Sequence, residues 1–231
     1  MIKLRIVSFV FLAAYSRFEA SAATPGEDRL REAAAVISEV MGIADKAIPQ
    51  ELLDKAHCAV VVPGLKKGAF IVGAKYGRGF LSCRKEGGVG WSAPGAIRVE
   101  GGSFGFQIGG SETDVVMLIL NERGAEKLMS SKFTLGGDAS VAAGPVGRTS
   151  SAQTDAFMRA EILTWSRSRG VFAGISLNGA TLRPDMETNK ELYGKKIENR
   201  EIVSGSVPPP PAAEEFISQL NKYSSRKVAR K

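Results

Sequence analysis

With 231 residues, 44% of them hydrophobic and 24% charged, the chain is long enough for one well-cored domain with an appendage. The formal net charge of +7 is concentrated towards the two ends, so bulk charge argues against a nucleic-acid binder. The 26 glycines favour a Gly-punctuated, sheet-rich protein over a helix bundle.

The N-terminus reads as an export signal. Lys3 and Arg5 precede an apolar run over 6–15, and Ala20-Ser21-Ala22 is a small-residue cleavage site. The run is short for a membrane span, and an uncleaved anchor is the alternative. The expected organisation is a signal peptide over 1–22, a domain over 23–205, and a Pro-spaced helix with a basic tail over 206–231. Cleavage would remove Lys3, Arg5, Arg17 and Glu19. The tail adds Lys222, Arg226, Lys227, Arg230 and Lys231 against Glu214 and Glu215, so the central domain is close to neutral. The expected location is periplasmic or secreted, with membrane association.

Residues 24–49 read as an amphipathic helix. Leu30, Ala33, Ala34, Ile37, Val40, Met41, Ala44 and Ile48 form one apolar stripe at spacings of three and four. Thr24 with Glu27 makes a capping box, Pro25 suits the first turn, and Pro49 ends the helix. A shorter helical piece follows over 50–56. Beyond His57 the period changes: "CAVVVP", "GAFIVGAKYG", "GFLSCR" and "WSAPGAIRVEGGSFGFQIGG" are short β-rich runs separated by glycines. "DVVMLIL" (114–120) is apolar enough for a strand covered on both faces, and "NERGAEKLMSS" (121–131) is a short helix capped by Asn121. Over 155–182 two antiparallel strands turn at Arg169-Gly170, with helix as the alternative for the first half. Pro208–Pro211 form a stiff spacer, and Phe216, Ile217, Leu220 and Tyr223 mark a last amphipathic helix. Short connections make the sheet mainly antiparallel. The fold class is α+β: a curved antiparallel sheet or sheets with N-terminal amphipathic helices and a C-terminal helix.

Little in the sequence suggests catalysis. His57 is the single histidine, so a Ser/His/Asp or Cys/His system would have to use it. Zinc at His57, Cys58 and Cys83 matches no familiar spacing, and no metal or cofactor is expected. In an exported chain Cys58 and Cys83 read either as a disulfide or as two buried thiols. No phosphate-loop spacing occurs among the glycines. Asp114, Asp138, Asp155 and Glu161 read as structural carboxylates paired with Arg148, Arg159 or Arg167. The basic residues Lys66, Lys67, Lys75, Arg78, Arg167 and Arg169 are candidates for a phosphate-headgroup site, against the plainer reading of solvated charge.

Several motifs occur together and in order: "GWSAP", "GGSFGFQIG", "DVV", "LGGDASVAAGPVGR" and "SRSRGVFAGISL". With them the chain over 29–194 resembles the SYLF-domain family. The resemblance implies a non-enzymatic lipid-binding module. In that family phosphoinositides are ligands, an N-terminal amphipathic helix contacts membrane, and fungal members associate with actin. Carried to this chain, it implies a membrane helix bearing Leu30, Ile37, Val40 and Met41 and a phospholipid or membrane surface as partner. No nucleic acid is implied. A structural or interaction module of the envelope, docking a protein through the C-terminal helix, is the alternative, with an uncharacterised enzyme third. The stretch "GGDASVAAGPVGR" reads as close packing or as the border of an acyl-chain slot. Gly136, Gly144 and Gly147 would allow close approach, and Asp138 and Arg148 would pin the two ends.

Overall fold

The computed structural model describes residues 22–43, 47–70, 72–85, 87–104, 109–146, 159–168, 171–175 and 177–224. Residues 1–21 of the expected signal peptide, Ala44, Gly147, Arg148, Asp155, Arg169 and the basic tail beyond Ser224 lie outside them.

Helix α1 (Pro25–Gly42) begins at the expected capping box. Thr24 Oγ1 accepts from the Glu27 amide at 3.3 Å, and Glu27 accepts from the Thr24 amide at 2.8 Å. It stops at Gly42 rather than at Pro49, because glycine is the poorest helix former in the stretch before proline. A short helix α2 (Gln50–Lys55) leads into the sheet. The strands are β1 (Cys58–Phe70), β2 (Val72–Cys83), β3 (Gly95–Phe104) and β4 (Gly109–Ile119). Then come helix α3 (Glu122–Leu128), β5 (Phe133–Thr134), β6 (Val141–Ala143), β7 (Ile162–Ser168), β8 (Val171–Gly174) and β9 (Thr181–Pro184). Helix α4 (Met186–Tyr193) and helix α5 (Glu214–Tyr223) complete the chain.

The nine strands form one curled sheet in the order β5-β9-β3-β2-β1-β4-β7-β6, with β8 on β7. All pairings are antiparallel except β6–β7. Both faces of the centre are covered. Ala59, Val61, Phe80, Val116, Leu163 and Trp165 face the helical layer of α1, α2 and α5. Val60, Val62, Leu81, Val99, Val115, Met117 and Ile119 face a second core closed by α3 and by Phe133, Leu135 and Leu177. This two-sided burial is why 115–119 is apolar at every position rather than at alternate ones.

Two expectations are corrected by the packing. The stripe on α1 is interior: Leu30, Ile37 and Val40 are at most 1% exposed, with Met41 packed against the same core. The face assigned to a membrane therefore meets the sheet and α5. Nor is the C-terminal helix an appendage beginning at 206. Phe216 and Leu220 are wholly buried in the α1 core. The end of α5 is tied down as well: the Ser224 carbonyl accepts from Trp91 Nε1 at 3.1 Å and from Arg84, whose guanidinium lies 4.0 Å over the Trp91 ring.

The sequence reading also passed over β9 and α4. Asp185 caps α4 by accepting from the Thr188 amide, and Gly194 closes it. Buried Asn189 accepts from the Ala96 amide at 2.8 Å and donates to Ile197 O and to Asn199 Oδ1, which locks α4 to the start of β3.

Candidate functional site

The sequence-predicted cations separate into three groups in the fold. The first lies where β1 and β2 run beyond the core. At Pro63-Gly64, β1 bulges: its register shifts against both β2 and β4. Gly64 has φ +58°, a conformation costly for any residue with a Cβ, and its amide donates to Asp114 Oδ1 at 3.0 Å. The strands are so close here that a Cβ on Gly79 would lie 2.1 Å from the Val61 carbonyl oxygen.

Past the bulge, Leu65 turns into the α3-side core and Lys67, two residues on, follows the same face. Lys67 stands directly opposite Lys75, and Lys66 opposite Tyr76 on the other face. Among the described residues Lys66, Lys67 and Lys75 have no ion-pair partner. Partial burial, and then the facing Lys75, hold the Lys67 ammonium below the ordinary lysine value. Two like charges opposed across a strand pair are unfavourable unless an anion joins them. On the Lys66 face, a Cβ on Gly68 would meet nothing within 4 Å. The register then sets Phe70 opposite Val72 and Val72 opposite Phe104 at the tip.

The second group is Arg167 on β7. Its Nη2 lies 2.8 Å from Asp114 Oδ2, and its Nη1 pairs with Glu39 of α1. Arg167 thus closes α1 onto the sheet beside a cleft of about 460 Å³ lined by Glu32, Pro63, Glu112 and Asp114. It is neutralised and does not join the lysines. The third is Arg78, whose Nε donates to Tyr76 Oη at 2.8 Å and sits 3.4 Å from Asp185 Oδ2. It shares the helix-side face with Arg98 and Arg183, two residues that sequence reading passed over. Only the pairing register could have found them.

The remaining expectations have definite places. Cys58 and Cys83 face each other on β1 and β2 and form a disulfide, so neither sulfur is free for a metal. Asp138 accepts from the Thr134 amide, and Glu161 accepts from the Ser140 amide at 3.0 Å. Both carboxylates hold backbone. The small-residue stretch is a packing element. Gly136 makes its turn at φ +82°, β6 pairs with β7, and a Cβ on Gly144 would lie 2.0 Å from the Trp165 ring. Neither the cleft at Arg167 nor a groove of about 820 Å³ beside Pro209–Pro211 and Ile217 is lined by that stretch.

The sequence profile of the family described as "Ysc84: Las17-binding protein actin regulator" matches residues 100–223, more than half of the chain. The chain belongs to the Ysc84 family. This is the SYLF grouping that the motifs resemble, and the profile reaches past the motifs through α5, in keeping with that helix's place in the core. Similar proteins include the rat SH3 domain-containing YSC84-like protein 1, 37% identical over 183 residues covering 79% of this chain and 53% of that protein. The Xenopus laevis protein of the same name is 36% identical over 203 residues, 85% of this chain and 60% of its own. LAS seventeen-binding protein 3 of Saccharomyces cerevisiae is 37% identical over 187 residues, 79% and 40% respectively. The Ysc84 chain described here spans about half the length of these relatives.

Proposed function

We propose that this Ysc84-family chain is a non-enzymatic phospholipid-binding protein, exported to the cell envelope by its N-terminal segment. The end of the β1–β2 hairpin that carries the lysines is the surface that meets anionic headgroups. The observation that carries the reading is Lys67 opposite Lys75, partly desolvated and without a carboxylate partner among the described residues. Such a pair gains most from an anion supplied from outside. Each lysine near an anionic bilayer contributes about 1 kcal/mol, so Lys66, Lys67 and Lys75 together give a modest, salt-sensitive attraction.

Co-sedimentation with phosphatidylcholine vesicles, with and without phosphatidylglycerol, tests the reading. The chain should pellet with the anionic vesicles only, and a K67Q/K75Q double variant should lose most of that binding. Equal binding to both vesicle types, or to neither, would refute it.

A protein-binding reading is favoured by the family description and by the groove between Pro209–Pro211 and Ile217, which remains open on the outer side of α5. Its mark would be a partner lost on Ser218→Trp, a change at an exposed position lining the groove that leaves Phe216 and Leu220 in place.

A further inference from the structure

On the helix-side face, three arginines stand abreast on adjacent strands. Arg78 of β2 pairs directly with Arg98 of β3, and Arg98 pairs directly with Arg183 of β9. Directly opposed like charges destabilise a sheet, and ion pairs this exposed return little. Three carboxylates, Glu100, Asp185 and Glu191, act on the row, but none serves one arginine alone, and Glu191 near Arg78 also accepts from the Gly26 amide at 2.7 Å. Glu100 is shared, 3.0 Å from Arg98 Nε and 3.6 Å from Arg183 Nε. Both Nε atoms are enclosed, yet neither makes a hydrogen bond among the described residues. Asp185, 3.4 Å from Arg78, already serves the α4 cap through the Thr188 amide and hydroxyl. The three arginine side chains remain about 40% exposed.

We propose that the Arg78–Arg98–Arg183 row is a phosphate-binding site and that Glu100 is its built-in competitor. Guanidinium forks match the oxygens of a phosphate group, and a dianion neutralises Arg98 and Arg183 better than Glu100, the one carboxylate they share. The group could arrive as a lipid headgroup or as a free phosphate ester. The site lies on the face opposite Lys67 and Lys75, so the inference is independent of the lysine end and does not need the source to be a membrane.

The test uses the full chain with two probes: inorganic phosphate, followed through the Nε–Hε NMR signals of the arginines, and phosphatidylcholine vesicles containing phosphatidate. Phosphate, but not chloride at equal ionic strength, should move the Arg98 and Arg183 signals in the unaltered protein. R98Q and R183Q should each weaken phosphate binding by about tenfold, the loss of one charge-assisted contact. Glu100→Gln should strengthen it several-fold, the reverse of what a merely structural ion pair predicts. Phosphate signals that do not move, or a Glu100→Gln chain that binds no tighter than the parent, would overturn the proposal. The arms separate the two readings. Vesicle binding lost in K67Q/K75Q but untouched in R98Q, with no soluble phosphate binding, leaves the lipid reading standing and removes the arginine site. Soluble binding without vesicle binding keeps the site and removes the lipid reading.

Discussion

Gly144 sits where β6 passes the face of Trp165. A Cβ there would lie 2.0 Å from the ring, and the Trp165 indole is fixed by donating to Pro145 O at 2.9 Å, so neither side can yield. Gly144→Ala should cost about 3 kcal/mol and Gly144→Val should unfold the domain, as read by urea denaturation. Normal stability with reduced lipid binding would instead revive the acyl-slot reading. Lys67 supports a prediction in pH. Its value is lowered by burial and by Lys75, so between that lowered value and the ordinary 10.5 the unfolded chain binds more protons than the folded one. Stability contributed at this site therefore rises with pH across that window, and the cost of the charged form is fully present below it. Lysine side-chain NMR should show Lys67 titrating early, and Lys75→Gln should move it partway back. The residue types at these positions were legible in the sequence. Which cations stand alone was not, because Arg167 finds Glu39 and Asp114 only when α1 lies across β4 and β7.

At the scale of elements, α1, α3 and α5 were legible because each carries a local signal: a capping box, an Asn cap and an amphipathic period. The short strands β5 and β9 carry too few residues to show a period, and they exist because they extend the β3 edge. The larger misreading concerned α5. A proline spacer ahead of a helix suggests a separate arm, yet the helix is clamped to α1 and its last carbonyl to Arg84 and Trp91. Phe216→Ala should therefore cost about 3–5 kcal/mol in thermal or chemical unfolding. Truncation after 206 should yield an unfolded chain rather than a folded domain without its docking arm.

For the whole molecule, the sheet is held between two separate cores, and the disulfide joins β1 to β2 at the end opposite the lysines. With a sequence separation of 25 between the cysteines, reduction or a C58A/C83A double change should remove about 2–4 kcal/mol, seen as a lower melting temperature in reductant. The lysine end should respond little, because the bulge at Pro63-Gly64 lies between it and the disulfide.

By itself the sequence determined the α+β class, the antiparallel character, the starts of α1, α2 and α3, and the family motifs. All of these rest on period, capping and turn chemistry within a few residues. Tertiary structure alone decided that the α1 stripe faces inward, that α5 completes the core, and that Arg78, Arg98 and Arg183 stand in one row. Each depends on register between segments distant in the chain, and a one-residue slip in strand pairing would send every side chain to the other face.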